Sequence, residues 1–411
     1  MKIVDIAEFY AEQGGGVKTY IDQKLEAGSA CGRTCVVIAP GPEDRVEQRG
    51  AGKVVWVKSP RHPIDPRYFV FKKPSQIHDI LDAERPDVVE GSSPWRGGRI
   101  AASWRGNALK SFFIHQDPVA VYPQTFFGRR LGAARVDAMF GWFWSYLRKL
   151  SGQFDTSIVS GEWLADRLET FGLRRPFAAP FGIDKSAFSP DYRCETRRRE
   201  MLAACGIDDP NAKLLITVSR HHPEKRLGAM IDAFQQVSAD RPLGLYLIGD
   251  GPTRKWVERK AGRVKGAHVA GVIRDRALLA KSLASADAMV HGGAAETYGL
   301  VIAEALCSGL PIVAPNMGGA AELCAPAYAE TYAPGDAAAF AEAIRRILQR
   351  DREALSAAAA EAAETRIGSP LEHFENLFAH YDAMIAAQAT RRGEAAEDLD
   401  ALTPLAPAAV A

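Results

Sequence analysis

The stretch that decides the fold is residues 291–315, HGGAAETYGLVIAEALCSGLPIVAP. The apolar run Ala288–Val290 before it predicts a short buried strand, and Gly292 and Gly293 end that strand in a loop. Apolar residues then recur at helical spacing up to Pro311, and a second apolar run follows. The segment therefore predicts a strand, a glycine-containing loop, a helix and a strand.

This predicted loop carries the groups needed to bind an anion beside hydroxyls. The backbone N–H groups of Gly299, Leu300 and Val301 lie at the start of the helix, where the donors and the helix dipole favour an anion. Glu296 precedes the helix and Glu304 lies inside it, with seven residues between them. Carboxylates accept O–H bonds strongly, so a nucleotide sugar is the predicted ligand. The alternative is two solvated acids on an amphipathic helix.

The stretch resembles the Glu-x7-Glu motif of retaining glycosyltransferases of family 4, which have the GT-B fold. The resemblance implies that Glu296 contacts the donor sugar and that Glu304 contacts the nucleotide ribose. It also includes Tyr298 in the donor-binding loop. The fold class it implies is α/β, with two doubly wound Rossmann-like domains that face a cleft.

A second motif follows the predicted strand 214–218. Arg220 and Lys225 resemble the cations of the family motif G-R-L-x-x-E-K-G. The resemblance implies that they bind the diphosphate of the donor. The chain departs from that motif at three positions, where Ser219, His221 and Arg226 replace glycine, an apolar residue and glycine. The departures leave the conformation of this loop open. A charged loop before a helix without any ligand is the alternative.

Three weaker segments extend the resemblance. Gly15 and Gly16 belong to a glycine-rich turn after the first predicted strand, where the backbone can approach a phosphate or an acceptor closely. A plain flexible turn is the alternative there. The family pattern implies that Gly249 and Gly251 line the nucleotide pocket and that the loop at Ile273 meets the base.

His115 stands at the carboxyl end of the predicted strand 111–115. Parallel sheets bind ligands at the carboxyl ends of their strands, so this imidazole could contact a donor sugar or an acceptor hydroxyl. The resemblance implies that it belongs to the active site. A histidine with a purely structural role is the alternative.

The length of 411 residues predicts two domains. Strands and helices alternate along both halves, which predicts doubly wound parallel sheets. The expected bounds are 1–190 for an acceptor-side domain, 191–367 for a nucleotide-sugar domain and 368–386 for a helix that crosses back to the first domain. Residues 387–411 lack apolar periodicity and are expected to form a disordered tail.

Composition excludes several classes of protein. Lys and Arg number 51 against 50 Asp and Glu, so global charge does not favour nucleic acid. The six cysteines lack zinc-site spacing and indicate a reducing compartment. No signal peptide or membrane-spanning run is visible, so we expect a cytoplasmic protein. The D-x-D spacing of metal-dependent transferases occurs only at 398–400, so we expect no metal and no cofactor besides the nucleoside diphosphate sugar.

The reaction that the resemblance implies is metal-independent transfer of a hexose, such as mannose or glucose from GDP- or UDP-hexose, to a hydroxyl acceptor. It proceeds with retention and forms an α-glycosidic bond. Glu296, His115, Arg220 and Lys225 are the expected catalytic residues. The alternatives are a nucleotide-sugar 2-epimerase of the same fold and a catalytically silent sugar-nucleotide binding protein.

Aromatic and basic residues crowd the segment 126–150, FFGRRLGAARVDAMFGWFWSYLRKL. This composition indicates a helix on an anionic membrane surface. It predicts a membrane lipid or lipid-linked glycan as acceptor and a peripheral position on the inner face of the cytoplasmic membrane. Ordinary core aromatics that pack a long helix against its sheet are the alternative.

Overall fold

The computed structural model describes residues 1–11, 16–63, 65 and 68–402, apart from the side chains of residues 129 and 392–402. The chain divides into two compact units. Unit 1 comprises Met1–Phe113, Gln153–Thr156 and Phe374–Ala411, and unit 2 comprises Ile114–Gly152 and Ser157–His373. The domain bounds expected at 190 and 367 stay a prediction.

Unit 1 is built on a sheet of hydrophobic strands with helices between them. Its elements are β1 (Lys2–Ile6), α1 (Gly16–Ala30), β2 (Thr34–Gly41), β3 (Arg45–Arg49), β4 (Gly52–Lys58), α2 (Pro74–Glu84), β5 (Val88–Gly91), α3 (Arg96–Ser103), β6 (Leu109–Phe113) and most of α17 (Pro370–Leu402). The six strands lie in the order β3-β4-β2-β1-β5-β6. All neighbouring pairs are parallel except β3 and β4.

A buried charge cluster ties α1 and α17 to the centre of this sheet. The Lys24 ammonium on α1 donates to Asp5 Oδ2 on β1 (3.0 Å) and to Glu90 Oε1 on β5. Tyr381 of α17 donates to Glu90 Oε2 (2.5 Å). Burial raises the pKa of Asp5 to about 6, although the Lys24 ammonium opposes that shift. The cluster is complete only when all four elements, α1, β1, β5 and α17, are in place.

Unit 2 contains the remaining elements. They are α4 (Pro118–Val121), α5 (Pro123–Leu131), α6 (Ala133–Met139), α7 (Gly141–Ser151), β7 (Thr156–Val159), α8 (Glu162–Thr170), β8 (Phe177–Ala178), α9 (Glu195–Ala204), β9 (Lys213–Val218), α10 (Leu227–Ser238), β10 (Leu243–Ile248), α11 (Arg254–Ala261), β11 (Ala267–Gly271), α12 (Arg276–Ala284), β12 (Ala288–Val290), α13 (Leu300–Cys307), β13 (Ile312–Pro315), α14 (Gly319–Glu322), β14 (Ala329–Tyr332), α15 (Ala337–Gln349) and α16 (Arg352–Arg366). Short 3-10 helices span Lys185–Ala187, Pro190–Tyr192 and Pro223–Lys225.

The second sheet carries the loops of the candidate site. Its six strands run in the order β11-β10-β9-β12-β13-β14, and every neighbouring pair is parallel. Successive strand residues enter different cores, as Leu215 and Ile216 of β9 do, because both faces of the sheet are covered by helices. The loops at the carboxyl ends of β9, β10 and β12 therefore share one edge.

The predicted α/β architecture with two parallel-sheet, Rossmann-like parts is confirmed. The expectation of one helix over residues 126–150 is wrong, because Gly132 and Gly141 divide that segment among α5, α6 and α7. Helix α17 runs to Leu402 and so includes the first part of the segment expected to be disordered; residues 403–411 lie outside the described residues. Among the described residues, no helix has both the length and the hydropathy to cross a membrane.

Candidate active site

Two glycines after β12 allow a close approach between this loop and the loop after β9. A Cβ at Gly292 would come within 2.4 Å of the Lys225 carbonyl oxygen, and one at Gly293 would lie 2.9 Å from His291 Nε2. A side chain at Gly292 would therefore force the two loops apart, and one at Gly293 would displace the His291 ring. The glycines thereby bring Lys225 to Glu296.

Glu296 is the centre of a compact group of charged side chains. The Lys225 ammonium donates to Glu296 Oε1, and Nε2 of the buried His291 lies 3.4 Å from the same oxygen. The side chains of Lys225 and Glu296 are only 16% and 18% exposed. Burial alone would raise the pKa of the Glu296 carboxyl, but Lys225 and His291 hold it well below its usual range. Glu296 is therefore a fixed carboxylate at neutral pH.

The start of α13 presents backbone donors beside this carboxylate. Gly299 precedes the helix with φ +95°, a conformation that favours glycine. The first hydrogen bond of the helix runs from Ile302 N to Gly299 O at 2.8 Å. The N–H groups of Gly299, Leu300 and Val301 come before it and therefore have no acceptor within the helix. These three N–H groups can donate hydrogen bonds to a bound anion.

Glu304 lies one turn further along α13 in a different environment. Its carboxylate is half-buried and makes no hydrogen bond or ion pair with a described side chain. Burial raises the pKa of Glu304 to about 7, with Arg276 opposing the shift. Since a buried carboxylate without a donor is unfavourable, this group is suited to accept bonds from the hydroxyls of a ligand.

Arg220 and Lys225 share one acid. Arg220 Nη2 and Lys225 Nζ lie 3.7 and 3.9 Å from Glu224 Oε1. Arg220 is 63% exposed, whereas Lys225 is mostly buried against Glu296. The two cations predicted to hold a diphosphate thus differ: Arg220 can move towards a ligand, and Lys225 is already positioned.

The turn 249–252, with the sequence GDGP, supports the loop after β9, whose conformation the sequence left open. Gly249 (φ +139°) and Gly251 (φ +157°) approach this loop so closely that added Cβ atoms would lie 1.8 Å from Ser219 O and 2.5 Å from His221 O. Thr253 Oγ1 donates to His221 O at 2.7 Å. The two glycines therefore support the loop that carries Arg220 and Lys225. Contact with a nucleotide stays a prediction for both.

The loop that carries Glu296 is also hydrogen-bonded to the backbone of His115. Thr297 Oγ1 donates to the His115 carbonyl oxygen at 3.0 Å, so the neighbour of Glu296 is bonded to the segment that follows β6. Tyr298 is buried and packs edge-on against Phe181 at 5.7 Å, so it supports the loop from the core side. Ile273, after β11, packs against the same hydrophobic core.

The remaining predicted site residues are Gly15 and Gly16, whose contact with a ligand stays a prediction. Gly16 begins α1 in unit 1, and Gly15 lies outside the described residues. Among the side chains that the structure describes, no three His, Cys, Asp or Glu residues are grouped to hold a metal ion. The sequence interpretation missed His291, whose only signal was its place at a strand end directly before two glycines.

Comparison with known proteins covers both halves of the chain. A sequence model described as "Glycosyltransferase Family 4" matches residues 14–186, and one described as "Glycosyl transferases group 1" matches residues 212–350. The chain is 26% identical over 351 residues to a GDP-mannose-dependent alpha-(1-6)-phosphatidylinositol dimannoside mannosyltransferase of Mycobacterium tuberculosis, covering 85% of this chain and 88% of that protein. It is 26% identical over 328 residues to a GDP-mannose-dependent alpha-mannosyltransferase of Corynebacterium glutamicum, covering 79% and 74%.

The fold comparison agrees. The sucrose-phosphate synthase of Thermosynechococcus elongatus superposes with a TM-score of 0.73 at 18% identity, over 94% of this chain and 99% of that one. The structures show the GT-B fold, and the two sequence models and the mannosyltransferase relatives show that the chain is a glycosyltransferase. Within that class, the chain belongs to glycosyltransferase family 4, as its Glu-x7-Glu motif predicts.

Proposed function

We propose that this glycosyltransferase is a metal-independent, retaining hexosyltransferase that transfers mannose from GDP-mannose to a hydroxyl acceptor and forms an α-glycosidic bond. The observation that carries the proposal is the pairing of Lys225 with Glu296 beside the free N–H groups at the start of α13. The names of the two mannosyltransferase relatives favour GDP-mannose over other hexose donors.

The diphosphate is the group that gains charge as the glycosidic bond breaks. Lys225, Arg220 and the N–H groups of Gly299–Val301 are preorganised cations and donors for that charge. A bound diphosphate pairs with the Lys225 ammonium, and the Glu296 carboxylate then accepts hydrogen bonds from the hydroxyls of the donor sugar. Thr297 bonds the His115 backbone beside Glu296, which supports the assignment of the His115 imidazole to the donor sugar or the acceptor hydroxyl.

Glu304 recognises the nucleotide in this scheme. Its unpaired, half-buried carboxylate accepts the two ribose hydroxyls, and binding replaces the hydrogen bonds that burial removed. Gly249, Gly251 and Ile273 supply backbone around the nucleotide and need no side-chain chemistry for that role.

A donor panel tests the proposal. Thermal unfolding with GDP, UDP and ADP identifies the nucleotide, because a ligand at a hundred times its Kd stabilises the fold by about 2.7 kcal/mol. Incubation of GDP-mannose with acceptor lipids, in the presence of EDTA, then gives a product whose anomeric configuration is read by NMR. A β-linked product, a requirement for metal, or free epimerised sugar without acceptor would contradict the proposal.

We further propose that the acceptor is a membrane lipid or lipid-linked glycan reached from an anionic membrane surface. The structure divides the aromatic-basic segment: Phe143 and Trp144 are core residues, whereas Phe126 and Trp142 are 58% and 66% exposed. The exposed rings lie in a stretch with the exposed cations Arg130 and Arg135. Apolar rings beside cations suit the interface of an anionic bilayer.

Liposome co-sedimentation tests this surface. The F126S/W142S and R130E/R135E variants should lose binding to anionic vesicles, and wild-type binding should fall with salt. The matched control is W256S, since Trp256 is also exposed but lies on α11. Equal sedimentation of all variants, or none at low salt, would leave a soluble glycan as acceptor.

A further inference from the structure

Arg226 occupies a backbone conformation that usually requires glycine. With φ +48° and ψ +36° it is left-handed, and among the described residues only Arg85 shares a positive φ without being glycine. A β-carbon in this region costs stability. Arg226 has a β-carbon in this strained conformation, directly after Lys225. We take this as an indication that its side chain has a role that glycine could not fill.

The Arg226 guanidinium lacks a partner. Its Nη1 is buried and donates to no acceptor, and no hydrogen bond or ion pair joins the side chain to a described residue. Burial lowers the pKa of Arg226, with Tyr332 opposing the shift. A buried cation without an acceptor is unfavourable unless a ligand supplies one.

Arg226 lines a pocket of about 310 Å³ within unit 2. The pocket also contains Trp163 and the pair 294–295, which immediately precedes Glu296. Its volume is at the lower end of small-molecule sites and suits one sugar or cyclitol ring. Arg220, Glu304 and the N–H donors of α13 are not part of its lining, so it is separate from the proposed donor site.

The other charged residues of the pocket are already neutralised. Arg167 is bonded to Asp117 and to Asp137 (2.9 Å), and Asp166 pairs with Arg175 at 2.5 Å. Arg226 is therefore the charged lining residue without a counter-ion among the described residues. Arg226 thus brings to the pocket a guanidinium without a direct counter-ion, together with an aromatic ring, Trp163, that can pack on a sugar face.

We infer that this pocket binds the acceptor and that Arg226 selects acceptors whose polyol carries a phosphate or a carboxylate. The inference rests on the proposed function, because it places the pocket next to the donor sugar held by Glu296. Guanidinium pairs with either anion in a bidentate manner. Trp163 and Gln124 line the same pocket and complete a site for a ring with hydroxyls.

Calorimetric titration with the donor nucleotide bound tests the inference, because the nucleotide prevents the probes from entering the diphosphate site. The probes are myo-inositol 1-phosphate, glucose 6-phosphate and glucuronate, each compared with its neutral counterpart. Wild type should bind at least one anionic probe tenfold more tightly than the neutral one, and R226G and R226M should lose that preference. The preceding nucleotide titration reports separately on the proposed function.

Arg85→Gly is the matched control, since it makes the same substitution at the same left-handed backbone conformation, at a residue of unit 1 that does not line the pocket. Both glycine variants should raise Tm, and R85G should keep the probe preference. Undiminished preference in R226G, or no preference in wild type, would overturn the inference. A lower Tm for R226G would also overturn it, because the guanidinium would then stabilise the fold itself.

Discussion

The two acids of the Glu-x7-Glu motif lie within one loop and helix, yet their surroundings are opposite. Glu296 is paired with Lys225 and lies near His291, which keeps it ionised. Glu304 has no described partner, and burial raises its pKa to about 7. Glu296 is thus ionised and held in place before any ligand binds, whereas Glu304 becomes fully ionised only when a ligand donates to it. The following predictions test that difference.

Removing Lys225 should have the largest effect. K225A takes the cation from Glu296 and from the proposed diphosphate site, and should cost about 2–5 kcal/mol of transition-state stabilisation in kcat/KM. The control is K265A, at an exposed lysine of the same unit. Wild-type kcat/KM in K225A would show that the pair is structural only.

Replacing the two acids should separate binding from turnover. E304Q should weaken binding of the bare nucleoside diphosphate by about 1.5–3 kcal/mol, the contribution of hydrogen bonds to a charged group. E296Q should leave nucleotide affinity close to wild type and lower kcat. Titration of nucleotide into both variants measures this, and equal losses would defeat the division of roles.

Nucleotide affinity should depend on pH through Glu304. Hydroxyl donors favour the carboxylate, so binding lowers the raised pKa of Glu304 and releases a proton. Affinity should therefore rise by up to about tenfold from pH 6 to pH 8. The E304Q variant serves as the control, because its pH dependence comes from the titration of the nucleotide phosphate alone and can be subtracted. If affinity rises equally with pH in E304Q and in wild type, the assignment to Glu304 is contradicted.

Stability should change in opposite directions at the two acids. The native pKa of Glu304 is raised, so folding stability falls as pH rises from about 4.5 to 7, and E304Q should be about 1 kcal/mol more stable than wild type at pH 8. The native pKa of Glu296 is lowered, so its contribution is present above about pH 4.5 and is lost in acid. E296Q should therefore be less stable by at least ~1 kcal/mol at pH 8. Urea unfolding measures both, and shifts of equal sign would contradict the comparison.

Sequence patterns predicted the parallel α/β fold because apolar runs and glycine turns are local signals. They also predicted which loops carry the motif residues, since strand ends in a parallel sheet share one edge. They could not show that Glu296 and Glu304 differ, because the partners of Glu296 are another loop's lysine and a strand-end histidine. The pocket at Arg226 was invisible for the same reason: its lining comes from distant segments.

The aromatic segment shows a further limit. Its composition is one continuous signal, yet Gly132 and Gly141 break it into short helices. Trp142 is exposed while the next two residues are buried. Composition counts aromatic residues but does not show which of them the backbone turns towards the core.

The bond from Tyr381 to Glu90 has a consequence for synthesis on the ribosome. The first 113 residues of unit 1 emerge early, but Phe374, Phe378 and Tyr381, which fill its core, are translated only after unit 2. Until then Glu90 lacks the hydroxyl that Tyr381 donates, and the core of unit 1 lacks these three rings. Unit 2 holds its own core within continuous later sequence and can close first. The amino-terminal unit is therefore the last to be completed.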